Sequence, residues 1–317
     1  GIRTGTNSYW STYKFKKDKF KTISEYLHDN GYYTCADVVN KLVIPKQGLD
    51  EFNIHDEIKD DLILRHKDFL TQMKLKNENG KKFFLYLQYS NIHTGIMKDV
   101  LKVYNNFSKE YFENTKLNEQ RYDLLFNKAE IYLENIMVKI NELELDKDSI
   151  VLVMSDHGIS IGEKVGERAY GAFCYDYTLR TFTYFMGENF PTKEISQQIR
   201  TIDFMPTILD CLKIQNDAKY EKMDGVSLLP LIDGELLSEK IAFSETGNPL
   251  EEKAPPKEPN TKCIRTSKWK LIINEHNNTR ELYNLEEDPN EKENLSGSGL
   301  KIEQILWSEF LKINNNF

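Results

Sequence analysis

The chain has 317 residues, 39% hydrophobic and 29% charged, a composition that buries a core and excludes a disordered or collagen-like chain. Its 42 basic and 50 acidic side chains leave a net charge of -8, which offers no broad footprint for nucleic-acid phosphates. The longest apolar runs, 83–87 and 150–154, fall far short of the roughly 20 residues of a spanning helix, and four scattered cysteines without a CxxC pair read as free thiols.

In chain order, Gly1-Ile-Arg-Thr-Gly5 has neither an initiator Met nor a targeting pattern, so it reads as a start within a longer reading frame. Residues 20–30 place Ile23, Tyr26 and Leu27 on one helical face and stop at Gly31. A strand over 32–39 follows, then a loop around Pro45 and Gly48. The run Phe-Phe-Leu-Tyr-Leu at 83–87 lacks alternation, which predicts a strand covered on both faces, as in a parallel sheet. His93 lies just beyond its end.

Between 121 and 145 apolar positions recur at three- and four-residue steps, the pattern of a long amphipathic helix. Residues 150–154 then form a β-branched apolar strand running into Ser155-Asp156-His157-Gly158. A strand over 179–186 and a helix from Asp203 to Leu212, with Asp203 as N-cap, continue the pattern. The proline-rich stretch 251–259 marks a boundary between domains 1–250 and 251–317. The second carries short strands at 263–266, 269–274 and 281–284 and a terminal helix around 302–311, a small α+β appendage. This is α/β syntax, in which ligands gather beyond the carboxyl ends of the strands. His93 and Asp156-His157 occupy such ends.

Asp156 and His157 are adjacent potential metal ligands where a strand stops, and Gly158 permits a turn that aims both at one cation. The plainer alternative is a solvated loop in which Asp156 caps a helix. His93 suits hydrogen bonding to an anionic ester or protonation of a departing alkoxide. Lys41 brings positive charge to an oxyanion or is a surface lysine. Arg168 and Tyr170, in Gly166-Glu-Arg-Ala-Tyr-Gly171, sit where an Arg fork can hold tetrahedral oxygens; pairing of Arg168 with Glu163 or Glu167 is the alternative. No Gly-x-Ser-x-Gly elbow, phosphate-binding Gly-Lys-Ser loop or dinucleotide fingerprint supplies a nucleophile or cofactor site.

Taken in order, these segments resemble the sulfatase family of the alkaline phosphatase superfamily over nearly the whole chain. Gly31-Tyr-Tyr-Thr resembles the family's Gly-Tyr-x-Thr, and Gly48-Leu-Asp-Glu-Phe52 its Gly-Phe-Asp-x-Phe. The strand reaching His93 and the one ending in Asp156-His157 resemble those delivering a substrate-binding His and metal-ligating Asp-His or Asp-Asn. Tyr175–Thr183 resembles Tyr-Glu-x-x-x-Arg-x-Pro, Asp203–Leu212 Asp-x-x-Pro-Thr-x-Leu, and 223–230 Asp-Gly-x-Ser-Leu-x-Pro. Residues 281–295 resemble the C-terminal Leu-Tyr-Asp-Leu-x-x-Asp-Pro-x-Glu-x-x-Asn-Leu.

The resemblance implies an alkaline-phosphatase-like, mainly parallel or mixed sheet flanked by helices. It implies a divalent cation, commonly calcium, with magnesium, manganese or zinc as alternatives, held partly by Asp156 and His157. His93 would touch the ester or protonate its leaving oxygen, and the substrate would be a small-molecule or carbohydrate sulfate ester. Lys41 falls where the family has Gly-Lys-Trp-His, with Leu42 and Val43 in place of Trp and His. Tyr170-Gly171 stands where relatives place a Lys or His-Gly, with Arg168 two residues earlier. The family's paired aspartates and formylglycine nucleophile precede Gly1 on this alignment, so the chain as given is expected to be inactive. The alternatives are a phosphodiesterase or phosphoethanolamine-type transferase of the same superfamily, or a binding protein with a lapsed metal site.

Overall fold

The computed structural model describes residues 16–96, 109–167, 169–188, 190–248 and 259–314. Helix α1 (Ile23–Asp29) starts at a capping box: the Glu25 amide donates to Thr22 Oγ1 at 3.0 Å and the Thr22 amide to the Glu25 carboxylate at 2.8 Å. Strands β1 (Tyr33–Val38) and β2 (Glu51–Ile54), helix α2 (Leu62–Glu78) and strand β3 (Phe83–Leu87) follow. The three strands form a parallel sheet in the order β2-β1-β3. Beyond β3 come α3 (Asn91–Gly95), α4 (Lys109–Glu113), the long α5 (Thr115–Glu142) and β4 (Val151–Met154). A short α6 (Asp176–Leu179) leads into β5 (Thr183–Met186), antiparallel to β4, and α7 (Phe204–Cys211) and α8 (Leu229–Ile232) complete this part. Strands β6 (Ala242–Thr246), β7 (Thr261–Arg265), β8 (Trp269–Asn274) and β9 (Thr279–Asn284) make an antiparallel meander, backed by α9 (Lys301–Asn314) through Ile264, Leu271, Leu282, Leu306 and Phe310. Parallel and antiparallel strands flanked by helices, with a small α+β end, make this an α/β fold of the alkaline-phosphatase-like kind.

Several elements depart from the sequence pattern for identifiable reasons. β3 is half-buried at every residue rather than covered on both faces. Helices α2 and α5 do cover one side, through Leu62, Leu70, Tyr132, Ile136 and Ile140 packed on Phe83, Leu85 and Val151. The lateral edge stays open, because β3 pairs only with β1 and β4 only with β5 among the described residues. Gln88 N donates to Asp37 O, so by alternation the backbones of Leu85 and Leu87 point to the open edge; Ser155 N donates to Phe182 O, which leaves those of Leu152 and Met154 on the edge of β4.

The strand expected over 179–186 begins only at Thr183, because Asp176 is held by Arg265 (2.7 Å) and Lys270 (2.9 Å) and the chain coils there into α6. Asp203 takes the N-cap position of α7 as expected, but its side chain makes no capping bond there: the carboxylate takes the Arg200 guanidinium at 2.7 Å and the Val226 amide at 3.0 Å. Helix α5 starts earlier than its apolar pattern, anchored by Asn118, whose amide donates to the carbonyls of Tyr111 and Ile161 at 2.9 Å each. The C-terminal meander includes β6, which precedes the proline-rich stretch, with Thr246 opposite Thr261.

One buried carboxylate ties the first sheet to its helices. Asp37, at the carboxyl end of β1, accepts from Arg65 (2.9 and 2.8 Å), His55 Nδ1 (3.0 Å) and His66 Nε2 (3.0 Å). Tyr132 of α5 donates its hydroxyl to the far nitrogen of His66, and Ser90 donates to His55 Nε2 at 2.8 Å. Burial alone would raise the Asp37 pKa, but the hydrogen bonds from His66 and Arg65 outweigh it and hold the carboxyl well below the usual carboxylate range. Burial lowers His66 from its ordinary 6.5 despite the opposing carboxylate. Removing one partner from such a pair leaves an uncompensated buried charge. Asp37→Asn is therefore expected to cost about 3–5 kcal/mol, read as a lowered urea midpoint.

The pH dependence carries a definite sign. With His66 depressed, the unfolded chain binds the extra proton below 6.5, so stability is full above that value and falls as pH drops through it. Asp37 adds stability above its unfolded value of 3.8 that is lost at lower pH. Urea midpoints from pH 8 to 4 should decline monotonically, with the first loss near 6.5; a midpoint flat down to pH 5 would contradict the assignment.

Candidate active site

Two strand ends, brought together at Tyr170, carry the sequence candidates. Beyond β3, Ser90 is fixed by His55 and opens α3, whose third residue is His93. Beyond β4 the chain passes through Asp156 and His157. Tyr170 lies between them: its ring is 5.2 Å from that of His93, tilted by 30°, and 5.8 Å from that of His157 at 90°. The Tyr170 hydroxyl also donates to the His93 carbonyl at 3.3 Å.

His157 Nδ1 lies 2.7 Å from the Gly158 carbonyl. A carbonyl only accepts, so this contact is a hydrogen bond when Nδ1 carries a proton, and in the neutral form of that ring the lone pair is on Nε2. That lone pair stands 3.8 Å from Asp156 Oδ2. Asp156 Oδ1 accepts the His157 amide at 2.9 Å, while the carboxylate as a whole is 79% exposed. Burial, together with the charge of Asp156, raises the pKa of the Tyr86 hydroxyl on β3, which links the two strand ends electrostatically. One carboxylate and one neutral imidazole fit two positions of a divalent-cation site, and four or more ligands complete such a site.

A second His/Asp cluster fits an ion less well. The ligand atoms of Asp37, His55 and His66 lie within 4.8 Å of one another and are buried. Yet Asp37 already accepts from Arg65 and both imidazoles, and Ser90 and Tyr132 donate to the remaining ring nitrogens. Both carboxylate oxygens and all four ring nitrogens are already hydrogen-bonded and the guanidinium supplies the countercharge, so this cluster reads as a structural network.

Gly158 is required by close approach. A Cβ there would come within 2.2 Å of the Tyr177 carbonyl, and its amide donates to Thr178 O at 2.8 Å. Tyr177 and Thr178 belong to α6, which Asp176 pins to the C-terminal sheet. Of the other sequence candidates, Lys41 is exposed beyond β1 and makes no ion pair or hydrogen bond with His93, Tyr170, Asp156 or His157. Arg168 lies outside the described residues.

A cavity of about 2160 Å³ opens beside Asp156, lined by Lys164, Arg180, Asp224, Arg265 and Lys292 among others. His93, Tyr170 and His157 are not in its wall, so the site stands at its rim with Asp156 as the shared residue. Arg180, absent from the sequence candidates, makes no side-chain ion pair among the described residues. Glu57, whose Oε2 is 3.5 Å from His93 Nδ1, was not signalled by any local motif.

The sulfatase family profile matches residues 3–214, and the profile of the N-sulphoglucosamine sulphohydrolase C-terminal region matches residues 172–315. No curated protein matches the chain. Among solved structures, a 2-O GAG sulfatase is similar at TM-score 0.73 and 15% identity, covering 99% of this chain and 78% of that one. A Bacteroides thetaiotaomicron protein from the metabolism of multiple glycosaminoglycans aligns at TM-score 0.70 and 14% identity, over 98% and 81% of the two chains. A third, solved in complex with its substrate D-glucosamine-2-N,6-O-disulfate, aligns at TM-score 0.63 and 18% identity, over 94% and 83%. The fold and the profile together define a class of sulfate-ester hydrolases. The chain belongs to the sulfatase family.

Gly158→Ala tests the loop geometry. The methyl group meets backbone, which cannot rotate away, so a loss of about 1–3 kcal/mol is expected in thermal or urea unfolding. An unchanged stability would show that the 156–158 loop and α6 are not in contact.

Proposed function

We propose that the chain is the larger, C-terminal part of a metal-dependent sulfatase that cleaves the sulfate ester of a carbohydrate. The convergence of His93 and His157 on Tyr170 carries this reading, since it joins an acid–base residue and a pair of cation ligands that are far apart in sequence. Asp156 and His157 Nε2 would hold the divalent ion, calcium being the commonest in the family. A divalent ion held by these residues would supply positive charge against that gathering on the sulfate oxygens, in a chain of net charge -8. His93 would hydrogen-bond the ester and hand a proton to the departing alkoxide, and Tyr170 would hold the imidazole by ring contact and through the His93 carbonyl.

The nucleophile is assigned to a formylglycine upstream of Gly1, and the remaining cation ligands to the aspartates before it. The open edges of β3 and β4 support an upstream contribution, because the backbones of Leu85, Leu87, Leu152 and Met154 point there toward no described strand. The cavity beside Asp156, larger than the roughly 300–1,000 Å³ of an ordinary ligand pocket, suits a saccharide, with Arg180 and Lys164 to meet anionic substituents.

The test is hydrolysis of sulfated and phosphorylated saccharides by the complete polypeptide, with and without chelator. Sulfate release abolished by chelator is expected, with His93→Ala lowering kcat/KM by about 10²–10⁴ and Asp156→Ala doing at least as much. Phosphate release alone, or turnover indifferent to chelator, would overturn the proposal.

A further inference from the structure

Glu57 Oε2 is buried and accepts no hydrogen bond, yet it stands 3.5 Å from Nδ1 of His93. A buried carboxylate oxygen without a donor is costly, so the position calls for a partner. Among the described residues, His93 is the only basic side chain within ion-pairing distance of it. The approach is imposed by the fold. Glu57 lies two residues beyond His55, and His93 three beyond Ser90; the 2.8 Å Ser90–His55 hydrogen bond clips the two segments together. Tyr170 packs against the His93 ring at 5.2 Å. The imidazole, 48% exposed, thus turns Nδ1 toward Glu57 and packs its ring on Tyr170, with Nε2 on the side of the ring away from Glu57.

We propose that Glu57 is the positioning residue of His93: its Oε2 accepts the Nδ1–H and fixes the ring plane, so that the imidazolium offers its Nε2–H to the ester and the neutral ring, once that proton is given up, keeps its hydrogen on Nδ1. This rests on the reading of His93 as the residue that meets substrate. The present separation exceeds a formed hydrogen bond by about 0.5 Å, and side-chain rotation closes it as the site fills. Orienters of this kind act through the imidazole, and losing one typically costs about 10–100-fold.

The first measurement needs no activity. In the ¹⁵N-labelled chain at a pH where the ring is neutral, with the resonance assigned by His93→Gln, the two imidazole nitrogens report which one carries hydrogen. The expected result is Nδ1 protonated and Nε2 bare, with the preference lost in Glu57→Ala and restored in Glu57→Gln, whose amide oxygen still accepts. An Nε2-protonated ring in the unaltered chain overturns the proposal without any variant having to fold, and so does a tautomer indifferent to Glu57→Ala. In the complete polypeptide, Glu57→Ala should lower kcat about 10–100-fold with KM within about twofold. A chain with the expected tautomer but no sulfate hydrolysis would keep the Glu57–His93 pair and discard the sulfatase reading, so the two failures are distinguishable.

Discussion

The carboxylate of Asp37 is the constraint from which the site geometry follows. A single buried charge at the end of β1 gathers donors from α2 and from the exit of β2, and through them Ser90 beyond β3 and Tyr132 on α5. A lone carboxylate there would be driven to neutralise; four hydrogen bonds, two from a guanidinium, keep it charged and make its partners' positions interdependent. Ser90 is placed because His55 is placed, and His93 and Glu57 inherit their positions from that clip.

A second buried charge network fixes the opposite wall. Lys270, fully buried on β8, pairs with Asp176 at 2.9 Å and Glu291 at 2.8 Å, while Arg265 also takes Asp176. Burial works against the charged lysine, but the negative charge around it, the Asp176 and Glu291 carboxylates included, keeps its pKa raised. Burial likewise opposes the Asp176 carboxylate, and the Arg265 and Lys270 contacts bring it down to about 2. This network pins α6, and α6 backs the Gly158 loop through the Tyr177 carbonyl. Asp156-His157 thus rests on a tie to the C-terminal meander, as His93 rests on the hub in the first sheet. Each network is closed by hydrogen bonds and ion pairs within the chain, and the residues the two place meet at Tyr170.

What the sequence made legible was local. Asp156-His157 stood out as a candidate because two ligand types sit side by side at the end of an apolar run, and β8 could be read because Trp269–Asn274 is a compact apolar segment between polar turns. The hub was illegible for the opposite reason: His55 and His66 are single residues without a motif, 18 and 29 positions from the carboxylate they serve. Glu57 escaped likewise, in a loop where acidic residues are usually solvated. The strand β6 was hidden because its partner lies across the proline-rich stretch, so the apparent boundary falls inside one sheet. The run at 83–87 predicted a strand correctly and its coverage incorrectly, since apolar composition reports what a strand needs and not whether the described chain provides it.

The convergence of the two strand ends on one cation is tested most directly by anomalous diffraction from crystals of the complete polypeptide grown with manganese. A peak within about 2.0–2.5 Å of both Asp156 and His157 Nε2, with His93 facing it across the ester position, is the expected result. A peak seated instead among Asp37, His55 and His66, or no peak at Asp156 while the protein turns over substrate, would contradict it.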